Sequence, residues 1–137
     1  KKDECLKVGG WFWSPFVGSL KPKILMEKVA CGSQHFCCVT NVMYGHKLYT
    51  WGDNGAGQLG RRTSSGDNLK PANIPSVVTF ETSNDPREYD EMQVYAVNCG
   101  SLYTICACIS AVTGKTHVYS FGQPNRLWFG GSDVYFR

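Results

Sequence analysis

The chain repeats itself. Val29-Ala30-Cys31-Gly32-Ser33-Gln34-His35-Phe36 returns as Val97-Asn98-Cys99-Gly100-Ser101-Leu102-Tyr103-Thr104, and His46-Lys47-Leu48-Tyr49-Thr50-Trp51-Gly52-Asp53 returns as Thr116-His117-Val118-Tyr119-Ser120-Phe121-Gly122-Gln123. An internal period constrains the fold more than any composition does, because each unit buries its faces against the next copy and not around a private core. The offset is 68 residues from Cys31 to Cys99 and 70 from Gly52 to Gly122, long for one blade or one solenoid turn. The excess falls in Thr82-Ser83-Asn84-Asp85-Pro86-Arg87-Glu88-Tyr89-Asp90-Glu91, a polar, acidic, proline-interrupted run that reads as a surface insertion.

Each unit predicts paired strands. Phe36-Cys37-Cys38-Val39-Thr40 and Tyr103-Thr104-Ile105-Cys106-Ala107-Cys108-Ile109 are short apolar runs, and Leu48-Tyr49-Thr50-Trp51 and His117-Val118-Tyr119-Ser120-Phe121 alternate. Hairpins over 41–46 and 110–115 join them, with Gly45 and Gly114 at the positions that need positive φ. With 15 Gly and 6 Pro in 137 residues, long helices are excluded and an all-β chain of short strands is expected.

Charge and cysteine content narrow the function classes. Fourteen basic and 11 acidic residues give +3, and no basic run is longer than Lys1-Lys2 or Arg61-Arg62, so a nucleic-acid or chromatin contact has no support from charge. Seven Cys is an odd number, and the expected setting is a reducing, intracellular compartment, nuclear or cytoplasmic, with buried inert thiols. No apolar stretch approaches the ~20 residues of a membrane helix, so no membrane partner is expected. The Lys-Lys start and the aromatic-basic end look like cut edges, which predicts a segment of a longer chain.

The first unit, Val29-Ala30-Cys31-Gly32-Ser33-Gln34-His35 followed by Leu48-Tyr49-Thr50-Trp51-Gly52-Asp53-Asn54-Gly55-Ala56-Gly57-Gln58-Leu59-Gly60, resembles a repeat of the regulator of chromosome condensation family (RCC1-like repeats). The second unit is a degenerate copy, with Tyr103 for His35 and Phe121 for Trp51. The resemblance implies a partial seven-bladed β-propeller built from four-stranded antiparallel sheets, of which about two blades are present. The implied organisation is the end of a preceding blade over 1–27, a repeat over 28–81, the insertion over 82–91 and the second repeat over 92–137.

The resemblance also assigns the repeat residues a structural role: Cys31, Gly32, His35, Trp51, Gly52, Asn54, Gly57, Gln58, Leu59 and Gly60 in the first unit, and Cys99, Gly100, Phe121 and Gly122 in the second. A residue repeated in every blade cannot be the single base of one catalytic site, so His35 is expected to be a hydrogen-bonding histidine. His46 and His117 are expected at the surface. Cys31, Cys99 and the same-face pair Cys106 and Cys108 read as small core residues, because ligands of a metal clip sit on turns and not inside apolar strands. Trp51 and Phe121 are likewise expected in the core. The Gly52–Gly60 loop lacks the following helix of a phosphate-binding loop and reads as a turn, with Asp53 bonding backbone two residues on.

No catalytic motif, cofactor site or metal site is read. Trp11-Phe12-Trp13 cannot all point inward on one strand, so Trp11 and Trp13, with Asp85, Arg87 and Tyr89 of the insertion, are the candidate partner contacts. The expected function is a non-enzymatic protein-protein interaction module whose partner is another protein or the remaining blades. The alternative that the family implies is a guanine-nucleotide exchange factor for a small Ran-like GTPase, associated with chromatin.

Overall fold

The computed structural model describes residues 24–61, 71–80, 91–123 and 134–136. It is built from strands: β1 Met26–Cys31, β2 His35–Thr40, β3 Leu48–Gly52, β4 Ala72–Val77, β5 Met92–Cys99, β6 Tyr103–Ser110, β7 Thr116–Gly122 and β8 Val134–Phe136. They form two four-stranded sheets in sequential order, β1-β2-β3-β4 and β5-β6-β7-β8. All pairings are antiparallel except β7 with β8, which is parallel. That pairing departs from the all-antiparallel expectation, because β8 enters the sheet at the end where β7 begins and not where it stops.

The two sheets pack face to face, and the period of two along each strand decides which side chains meet. Cys37, Val39, Leu48 and Val78 on one side pack with Met92, Val94, Cys106, Cys108, Tyr119 and Phe121 on the other. Phe80 caps this layer, its ring tilted over Tyr119 at 4.7 Å.

Equivalent residues of the two units point the same way, as stacked repeats require. The cross-strand row Cys31–Phe36–Trp51 corresponds to Cys99–Thr104–Phe121. The second row faces the first sheet, and Thr104 and Phe121 are fully buried there. The first row faces away from the second sheet. Cys31 is therefore exposed and Trp51 only half-buried, stacked on the exposed Phe36 at 5.6 Å; both were expected in the core. The physical reason is direction, since a residue that points toward the preceding unit is buried in the second sheet and open in the first.

Both hairpins lie at one end of the sheets. The first turns through a short 3-10 segment, Val42–Tyr44, with Gly45 at φ 77°, and the second places Gly114 at φ 68°. His46 and His117 are half-buried and not at the surface as expected: the His46 carbonyl accepts from Val94 N–H at 2.9 Å, and His117 lies beside Cys108 in the inward row.

Candidate functional site

The two ends of the sheets differ in chemistry. At the end where β1 and β5 stop, the glycine loops join one sheet to the other. At the opposite end lie the hairpin tips.

The joining end is a closed hydrogen-bond network. Thr104 Oγ1 donates to the Gln58 carbonyl at 2.9 Å, so its one proton is used and it must accept from His35 Nε2–H, also at 2.9 Å. The proton count fixes the imidazole tautomer: Nε2 carries the hydrogen, while the buried Nδ1 has no hydrogen-bond partner among the described residues. Nearby, the Ser33 and Ser101 hydroxyls share a hydrogen bond of 2.8 Å, linking equivalent turn residues of the two units.

Residues 53–60 bond largely among themselves. Gly55 N–H reaches Asp53 Oδ1 at 3.4 Å, the Asx bond expected from the sequence, and Ala56 N–H reaches Gln58 Oε1 at 2.9 Å. Leu59 N–H reaches Asn54 Oδ1 at 2.9 Å, and the Gln58 amide donates to Asp53 Oδ2 at 2.7 Å. Gly57 and Gly60 N–H bond to the carbonyls of Asn54 and Gly57. A phosphate cradle needs such N–H groups unspent, and here they close a turn. Asn54, Gln58 and Leu59 are fully buried in consequence.

The same turn is fitted to the second sheet. Gly60 has φ +63°, and a Cβ there would lie 2.5 to 2.8 Å from the Phe121 ring, so only glycine lets the ring close over the loop. A repeated contact accompanies it: a Cβ on Gly32 would strike the His35 ring, and one on Gly100 the Tyr103 ring. Arg61 completes the seam, donating from Nη2 to the carbonyls of Thr50 at 2.8 Å and Ile74 at 3.2 Å and so tying β3 to β4.

Two thiols meet along the same seam. Cys37 Sγ of the first sheet stands 3.3 Å from Cys99 Sγ of the second, and Thr104 Oγ1 lies 3.9 Å from Cys99. Bonding to Cys99, then burial, pushes the Cys37 thiol up, whereas the bond from Cys37 holds Cys99 down. Among the described residues no group of three or more His, Cys, Asp or Glu is placed to hold a metal ion. None of their helices is long and apolar enough to cross a membrane, a statement that leaves β-barrels aside.

The opposite end is apolar and open. Val42 and Met43 on the first hairpin are 70% and 81% exposed, and Val112 on the second is 76% exposed, with Leu25 beside the first. The start of β5 brings the hairpins together: Val94 N–H bonds to the His46 carbonyl, and Ala111 N–H bonds to the Glu91 carbonyl. Lys47 Nζ reaches Glu91 Oε1 at 3.6 Å. β4 ends and β5 begins at this end, so the insertion is attached here as well. Sequence reasoning missed these tips; the signal was three large apolar residues inside turns, where polar residues are the rule. The candidate contacts Trp11, Trp13, Asp85, Arg87 and Tyr89 lie outside the described residues.

Sequentially ordered four-stranded sheets, stacked with equivalent residues facing one way and locked by a glycine turn, define a repeat protein of the β-propeller type. Residues 46–107 match the family model "Regulator of chromosome condensation (RCC1) repeat", which identifies this stretch of the chain as an RCC1-like repeat. The matched stretch runs from the end of the first hairpin into β6, so it takes two strands from each sheet and spans the seam. Among solved structures, a chain in the crystal structure of Kap60 bound to yeast RCC1 (Prp20) is similar at 15% identity and a TM-score of 0.45, over 75% of this chain and 21% of that one. Human WBSCR16 is similar at 20% identity and a TM-score of 0.46, over 76% of this chain and 22% of that one. The chain thus spans about a fifth of the length of each. No curated protein matches it.

Proposed function

We propose that the chain is a non-enzymatic protein-protein interaction module, its two repeat units acting as blades and the hairpin-tip end as its contact face. The observation that supports this is the division of labour between the two ends. The glycine-loop end spends its polar groups on holding the sheets together, while the tip end leaves Val42, Met43 and Val112 largely exposed to water. Exposed apolar side chains gathered on one face mark a place for a partner. Asp85, Arg87 and Tyr89 of the insertion at 82–91 are further proposed partner contacts. Trp11 and Trp13 remain proposed contacts with a neighbouring blade or partner, and the remaining blades of a ring are partners in the same sense. The division into repeats over 28–81 and 92–137 is part of the proposal.

The family name also admits a guanine-nucleotide exchange factor for a small GTPase. The two readings separate in one pair of assays. Release of labelled nucleotide from a panel of small GTPases is expected to proceed at its spontaneous rate in the presence of the protein. Partner capture is expected to fall at least tenfold in Met43→Asp/Val112→Asp with the thermal midpoint unchanged. Accelerated release that survives the tip substitutions contradicts the proposal.

A further inference from the structure

We propose that Cys37 and Cys99 form a reversible disulfide that staples the first sheet to the second. The pair is set up by packing, since Cys37 lies on the inward row of β2 and Cys99 on the row of β5 that faces it. Their sulfurs, 3.3 Å apart, are within about 1.3 Å of bonding distance. The backbones converge at this end: Ser33 N–H reaches the Ser101 carbonyl at 3.4 Å, and a Cβ on Gly32 would strike the Gly100 carbonyl. Small rotations about the two Cα–Cβ bonds therefore suffice to join the sulfurs.

The two cysteines have unequal surroundings, and the inequality assigns their parts. Cys99 is only half-buried, so a small oxidant reaches it, and the hydrogen bond from the Cys37 thiol favours its thiolate. Cys37 is fully buried and held as the thiol. With hydrogen peroxide as oxidant, the Cys99 thiolate attacks one peroxide oxygen. The S–O bond forms, the O–O bond breaks, and hydroxide leaves, taking a proton to become water. Cys37 then attacks the Cys99 sulfur; the S–S bond forms, the S–O bond breaks, and a second water leaves with the Cys37 proton. Two thiols and one peroxide become one disulfide and two waters. A dithiol reductant reverses the change.

Two other close thiols act as an internal control. Cys106 and Cys108 are 3.8 Å apart on one face of β6, but both are shut from solvent. Their spacing along a single strand resists closure into a disulfide, so they stay reduced.

The test uses the purified protein, hydrogen peroxide, alkylation of remaining thiols and mass spectrometry of the unreduced digest. The expected product is one cross-linked species joining the Cys37 and Cys99 peptides, with Cys106 and Cys108 alkylated after unfolding. The link closes a loop across 62 positions, so the thermal midpoint is expected to rise on the order of 10 °C and to return with dithiothreitol. Cys99→Ser loses the cross-link and the rise, whereas Cys31→Ser at the exposed cysteine keeps both. The wild-type peptide map stands by itself should Cys99→Ser fold poorly. Cys37 and Cys99 remaining alkylatable while Cys31 is oxidised, a linkage of either to another cysteine, or a cross-link with no rise in midpoint overturns the proposal.

Discussion

The Thr104 hydroxyl lies 2.9 Å from His35 Nε2 and 2.9 Å from the Gln58 carbonyl, so one buried proton donor and one acceptor of the first repeat are satisfied by a single side chain of the second. All three residues are buried, and the bond joins positions 69 apart in sequence.

Thr104→Val keeps the shape and removes the bonds, leaving His35 Nε2 and the Gln58 carbonyl unpaired out of water. The expected loss is about 3 kcal/mol in urea unfolding, against less than about 1 kcal/mol for Thr104→Ser, which retains the hydroxyl. Equal losses in the two variants contradict the bonding role.

Gly60→Ala combines a left-handed backbone with a Cβ aimed into the Phe121 ring. It is expected to cost at least about 2 kcal/mol. Because part of that cost is the clash, Phe121→Ala is expected to be milder in the Gly60→Ala background than alone, by more than about 1 kcal/mol. A double-mutant cycle in guanidinium measures it, and strict additivity removes the contact from the explanation.

The pattern of what could be read from the sequence follows from where each partner sits. The Asp53–Gly55 bond, both hairpins and the shared face of Cys106 and Cys108 are local, so residue types and spacing carry them. The His35–Thr104 bond is not local. Thr104 is the repeat counterpart of Phe36, and nothing in either unit alone says that the hydroxyl of one unit meets the imidazole of the other. Repeat equivalence also misleads for Cys31 and Cys99: it pairs them in alignment, whereas stacking gives Cys99 the neighbour Cys37 and turns Cys31 outward. Trp51 and Phe121 differ for the same reason, and the parallel entry of β8 has no local signal in Val134-Tyr135-Phe136.

Burial pushes the Cys38 thiol from the ordinary value of 9.0 up to about 11. Between those pH values the unfolded chain has released this proton and the folded chain still holds it, so stability falls as pH rises through that window and is fully present below it. A loss on the order of 1–2 kcal/mol between pH 9 and pH 11 is expected from this group. Chemical unfolding across that range checks it: Cys38→Ala should show a shallower alkaline decline than the wild type, and parallel curves speak against the assignment.

Val42, Met43 and Val112 touch water over most of their surface. Met43→Asp and Val112→Asp are therefore expected to change unfolding free energy by less than about 0.5 kcal/mol each, as measured in urea. A larger loss would place these tips in the packing of the protein and not at its contact face.

The most direct measurement of the proposed division between the two ends is photo-crosslinking in cells, with a benzophenone side chain placed at position 43, 112 or 55. Position 55 lies on the glycine loop at the joining end and is exposed, so all three probes reach solvent. Crosslinks to another protein from positions 43 and 112, and none from position 55, are the predicted result. Crosslinks from position 55 with none from 43 or 112 would put the contact face at the other end and contradict the account.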